Sequence, residues 1–186
     1  RWNVSSRLDA VPLAEHLAML ALPVDEGALA HLRAAQRGAR VLNAMPAQFG
    51  RLLIARAHGG DRAPPCIVVR DQVWVGATSI VAVETGVVAT IAAALHCTVD
   101  EARAVMQRVE LPLWVLVTTR PLPDRKTLLD LELRLPAVRW LFLAGDQPDL
   151  AEAARTIGAA LLPPIEPGAD LRWLQGYKRL MEWARP

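Results

Sequence analysis

The stretch LPLWVLV, residues 111–117, constrains this chain more than any other. It is apolar almost without a break and stops at Thr118 and Thr119. A short, continuous apolar run predicts a strand buried on both faces, as in parallel sheets covered by helices on either side. In open α/β sheets, ligands and reactive groups sit just beyond the carboxyl ends of such strands. The two threonines therefore stand where this architecture would place chemistry, and they are candidate site residues. Threonine is also a good strand residue whose hydroxyl can cap a turn, which needs no function at all.

The same pattern continues downstream. VRWLFLA (138–144) and ALLP (160–163) predict further strands, and helices are expected over 124–135, 149–157 and 169–184. This alternation predicts a parallel sheet with right-handed crossovers. Upstream, CIVV (66–69) predicts a strand that ends at Arg70 and Asp71. TVDE (98–101) matches a capping box, with a helix expected to about residue 108. The segment 73–96 is ambiguous between strand and helix, because Val and Ile alternate with Ala. The first part of the chain reads as mainly helical. Helices are expected over 12–22, with Pro12 at the first position, and over 24–37, closed by Gly38. AQFGRLLIARAH (47–58) is amphipathic, ARVLNAMP (39–46) is a possible strand, and DRAPP (61–65) has the composition of a linker. The expected organisation is a helical extension over 1–62 followed by an α/β domain over 66–186.

Composition narrows the function classes. Of 186 residues, 53% are hydrophobic and 22% charged, enough apolar material for a full core. The net charge is +2 with no run of Lys or Arg, so neither nucleic acid nor a membrane surface is an expected partner. The longest apolar stretch, 80–95, carries Glu84 and is too short to span a bilayer. RWNVSSRLDA does not resemble a signal peptide, and a cytoplasmic protein is expected. Cys66 and Cys97 lack zinc-type spacing, so no metal is expected, and they read as reduced buried thiols, with a single disulfide as the alternative. No GxxxxGK[ST] loop is present, and no cofactor is expected. LHCTVDEARAVM has the outline of a helix-turn-helix, but its second helix offers only Arg103, Gln107 and Arg108 as polar donors, so a structural helix is expected. In LAGDQPDL, Asp146 is expected in a turn and Asp149 as the cap of the next helix.

The C-terminal part resembles a response-regulator receiver domain, best over 136–180, PAVRWLFLAGDQPDLAEAARTIGAALLPPIEPGADLRWLQGYKRL. Gly158-Ala159, the strand at 160–162, Pro163-Pro164 and the helix from Ala169 follow the receiver order. VVATIAAALHCTVDEARAVMQRVELPLWVLVTT resembles the second strand, second helix and third strand, and CIVVRD the first strand with its acidic end. The resemblance spans residues 66–184 and rests on pattern rather than on an invariant motif. An alternative threading makes ARVLNAMP the first strand and CIVVRDQVWVG the second. The resemblance implies a flavodoxin-like, receiver-like open parallel sheet in which the phosphoryl-transfer groups have degenerated. The acid pair that would hold magnesium corresponds to Arg70-Asp71, and the phosphoacceptor to Thr118. The hydroxyl after the fourth strand corresponds to Ala144, and the lysine before the final proline to Pro163. A module that cannot be phosphorylated at the usual position is therefore expected.

Two functional expectations follow. The first is a non-catalytic signalling or scaffolding module that acts through a protein partner or a homodimer. Its motivation is the final helix, where Trp173, Tyr177, Leu180 and Met181 exceed the apolar stripe needed to dock on a sheet. The second is a doubly wound ligand-binding domain or enzyme with a site among Asp71, Thr118, Thr119, Arg120 and Asp146, all near expected strand ends.

Overall fold

In the computed structural model, residues 10–34, 38–60, 63–70, 73–74, 79–108, 112–119 and 122–184 are described. They form five strands, β1 (Ala39–Leu42), β2 (Cys66–Arg70), β3 (Leu113–Thr118), β4 (Val138–Leu143) and β5 (Ala160–Leu161). The helices among these residues are α1 (Ala10–Leu20), α2 (Glu26–Arg33), α3 (Ala47–Ala57), α4 (Ile80–Leu95), α5 (Val99–Met106), α6 (Arg125–Arg134), α7 (Leu150–Ile157) and α8 (Ala169–Ala184). All strand pairs are parallel, and the sheet is open, in the order β2-β3-β4-β1-β5. The expected class, an open parallel α/β sheet, is what the chain adopts.

Both faces of the sheet are covered, as the apolar run at 111–117 predicts. On one face Val115, Val117, Trp140 and Phe142 pack against α4, α5, α6 and α7. On the other, Trp114, Leu116, Leu141 and Leu143 pack against α1, α2, α3 and α8. Strand order explains which helix goes where. The chain moves from β1 to the far edge at β2, then returns through β3 and β4 and passes β1 to reach β5. Right-handed crossovers place α3, on the outward move, on one face and the four helices of the return on the other.

Two expectations need correction. The first 62 residues are not an extension, because β1 lies inside the sheet, hydrogen-bonded between β4 and β5. Its four residues are all buried, and α1, α2 and α3 form one core with β3 and β4. The strand order also differs from the 2-1-3-4-5 of receivers under either threading. The 66–70 strand, which as a receiver's first strand would lie inside the sheet, is an edge, and β1, the first strand of the alternative threading, is separated from β3 by β4.

Local signals decide the helices. The ambiguous segment becomes α4, sixteen residues long, with the Ser79 hydroxyl accepting from Ala82 N and His96 closing it in the left-handed conformation (φ 53°). That length is beyond an ordinary strand. The capping box at Thr98 and Glu101 is present in both directions. Asp149 occupies the N-cap of α7, but its side chain makes no capping hydrogen bond. No single helix among the described residues is long and apolar enough to cross a membrane.

Candidate functional site

The place to look for chemistry follows from the topology. The chain leaves β1 into α3 on one face and leaves β4 into α7 on the other, so a crevice opens between the carboxyl ends of β1 and β4. Ligands of open α/β sheets bind at such a switch point. Its walls are the short turn after β1, residues 43–46, and the loop 144–149 after β4.

The chain fills this crevice with its own polar groups. Asn43, only 9% exposed, follows β1 directly. Its Nδ2 donates to Asp146 Oδ1 (3.0 Å) and to the Ile165 carbonyl (2.8 Å), while its Oδ1 accepts from Ile165 N (2.8 Å). One side-chain amide therefore satisfies both backbone groups of Ile165 and ties the approach to α8 to the end of β1. Asp170, in the first turn of α8 and 5% exposed, accepts from Met45 N at 2.9 Å and from Leu171 N at 2.8 Å. Gly145 N donates to the Ala44 carbonyl (3.1 Å), and Gln147 Nε2 to the Ala144 carbonyl (2.7 Å).

The β1–α3 turn does not have the form of a phosphate cradle. Such cradles use glycines so that backbone N–H groups can converge on the anion at a helix N-terminus. Here the turn reads Asn43-Ala44-Met45-Pro46, with Pro46, which has no N–H, at the N-cap of α3. The Met45 amide that could face an anion is already bonded to the Asp170 carboxylate.

The residues singled out by the receiver resemblance do not converge. Arg70 is the register partner of Thr118, so these two backbones lie side by side at the carboxyl end of the sheet. Ala144 follows β4 and is fully buried, and Pro163 follows β5. From β2 to β5 the sheet is four strand spacings wide, about 19 Å, so Arg70 and Pro163 flank opposite edges rather than one pocket. Thr119 is buried beyond β3, whereas Asp146 is exposed in its turn, its carboxylate accepting from Asn43. Asp71 and Arg120 lie outside the described residues. No group of His, Cys, Asp or Glu among the described residues could hold a metal ion.

The final helix is also corrected. Trp173 and Met181 are buried, and Tyr177 and Leu180 half-buried, under α1 of the same chain. Trp173 Nε1 donates to the Ala18 carbonyl (2.9 Å), and its ring meets Phe49 edge-on (5.3 Å) and stacks on Tyr177 (5.4 Å). The small residues Ala14 and Ala18 let α1 approach this closely, and both are buried. Trp173 and Tyr177 are thus spent on an intramolecular seam, whereas Trp183 of the same helix is 69% exposed.

What α1 covers inside, it replaces outside. Leu13, Leu17 and Leu20 are 49%, 44% and 57% exposed and recur at helical spacing on one face of α1. A cleft of about 570 Å³ opens on the other flank of the α1–α8 pair, beside β2. Sequence reasoning missed Asn43, Asp170 and the leucine row. The leucine spacing was legible, but which side of α1 faces solvent depends on where α8 docks. No model of a known protein family matches this chain, and no curated protein matches it in sequence.

Proposed function

We propose that this chain is a non-catalytic signalling or scaffolding module that acts through protein–protein contacts made by the outer face of α1. The observation that carries this reading is the row Leu13, Leu17 and Leu20, three half-exposed leucines on consecutive turns. Singly exposed leucines are ordinary, but a contiguous apolar row on a helix is a recognition surface for another chain. Each leucine has about half its side chain left to bury, worth about 1 kcal/mol apiece. The closed crevice supports the non-catalytic part, because Asp170 and Asn43 occupy the position a substrate would need. The resemblance to receivers suggests the signalling context. The strand order departs from theirs, so the proposal stands on the α1 surface.

The test is a photo-crosslinking amino acid placed at Leu17 and, as a control on a distant helix, at the 80%-exposed Leu133 of α6. In the native host, position 17 should give one discrete adduct, with another protein or with a second copy, that disappears in Leu13→Glu/Leu20→Glu. The same adducts from both positions, or none from position 17, would refute the proposal.

A further inference from the structure

The two edges of the sheet are unlike. β5 is two residues long, one of the usual ways of blunting an edge. β2 is five residues long and, among the described residues, pairs only with β3, in unbroken register from Cys66 to Arg70. Its first four residues, Cys-Ile-Val-Val, carry no charge, proline or bulge to discourage pairing. Trp114 N donates to the Pro65 carbonyl, which sets the phase of the ladder. Alternate residues of a parallel strand serve the same neighbour, so Ile67 and Val69 turn their backbone groups to β3, and Cys66 and Val68 turn theirs outward. The described residues that follow, Val73 and Trp74, cross the α4 face, with Val73 against Gly86 and Trp74 against Trp140. Among the described residues nothing crosses the β2 edge.

The face of β2 beside α3 is open too. Val68 points to that face, is 37% exposed and lines the 570 Å³ cleft with Met181. Four charged residues line the cleft. Arg51 and Glu15 face each other at 2.7 Å and neutralise one another. Lys178 and Glu182, one turn apart on α8, have no ion-pair partner among the described residues. Among the described residues the cleft therefore offers an apolar floor, one cation and one anion without an ion-pair partner.

We infer that β2 and this cleft take an extended peptide segment of a partner protein as an added sixth strand. Backbone pairing to Cys66 and Val68 supplies the affinity, and side chains on one face of the segment enter the cleft. Residues two apart on a strand are about 6.7 Å apart on one face, close to the roughly 6.0 Å rise along α8 from Lys178 to Glu182. The fitting segment thus carries an apolar residue against Val68 and Met181, and an acid and a base two residues apart. Neither Leu13 nor Leu17 lines the cleft, so this inference and the α1 reading can fail separately.

The experiment pans a displayed library of random nonapeptides against the whole chain and measures the enriched sequences in solution. The expected peptides carry that pattern, protect the amides of Cys66 and Val68 from hydrogen exchange, and bind at least about tenfold more weakly to Val68→Lys. The exposed double variant Lys178→Glu/Glu182→Lys should reverse the order of acid and base in the peptides it selects. Failure of any peptide to enrich, or binding indifferent to both variants, overturns the inference. So does a homodimer in sedimentation that Val68→Lys dissociates, because a second copy would then own the edge.

Discussion

Replacing Asn43 by alanine removes three hydrogen bonds at once and leaves the N–H and carbonyl of Ile165 without the partners they have now. Ile165 is 5% exposed, so water reaches these groups poorly. Stranding a buried backbone group costs about 1–3 kcal/mol, and the bond to exposed Asp146 adds little. The expected loss is about 2–4 kcal/mol, or roughly 5–15 °C in Tm for a chain of this length. Urea unfolding followed by tryptophan fluorescence and by circular dichroism measures it. Asn43→Asp supplies a contrast. It keeps an acceptor for Ile165 N, loses both donations and sets a second carboxylate against Asp146. Its deficit should therefore shrink as the pH falls and the carboxylates protonate. A cost below about 1 kcal/mol for Asn43→Ala would show that Asn43 does not hold the approach to α8.

Other outcomes follow from buried charge and thiol groups. Glu84 is 5% exposed and accepts from Arg103 and Arg134, which are each about half exposed. Arg103→Ala/Arg134→Ala should therefore cost more than Glu84→Gln, by about 2 kcal/mol in denaturant unfolding, because it leaves a buried carboxylate unpaired, whereas the arginines can hydrate. Burial, and then the charge of Arg33, hold His58 below its ordinary value, against a backbone hydrogen bond to Leu32 that raises it. The unfolded chain then binds the proton first, so stability is lost as the pH falls through about 6.5. Comparing unfolding at several pH values in wild type and His58→Gln checks the slope, and a slope unchanged in the variant would contradict it. Burial pushes the Cys66 thiol up to about 12, only partly opposed by the nearby Arg51 charge. In Cys97→Ser, Cys66 should react with a disulfide reagent at pH 8 far more slowly than an exposed thiol, because little of it is thiolate, and a rate equal to that of free cysteine would contradict this.

Long apolar runs made β3 and β4 legible in the sequence, and reciprocal capping made α5 so. These signals are local, and tertiary context had nothing to override. The strand order was not legible, because Ala39–Leu42 reads the same whether it lies at an edge or between β4 and β5. That placement depends on crossovers tens of residues long. The same limit misassigned α8. Trp173, Tyr177, Leu180 and Met181 do form an apolar face too wide for the sheet alone, but nothing near them says that Ala14 and Ala18 are small enough for α1 to cover it. The candidate site failed to appear for a related reason. Thr118 and Thr119 do sit at a carboxyl end, yet β3 is not at the switch point, which lies between β1 and β4. Asn43 and Asp170, 127 positions apart, meet there without any shared motif.

Hydrogen exchange at the Met45 amide, the group that donates to Asp170 in the crevice, tests the closed site most directly. With the crevice shut by the chain itself, Met45 N–H should exchange slowly, with protection near that of the β1 core. Adding inorganic phosphate or a panel of mononucleotides should leave the rate unchanged. Fast exchange in the protein alone, slowed by one of these compounds, would mean that the crevice is a ligand site and that the non-catalytic reading is wrong.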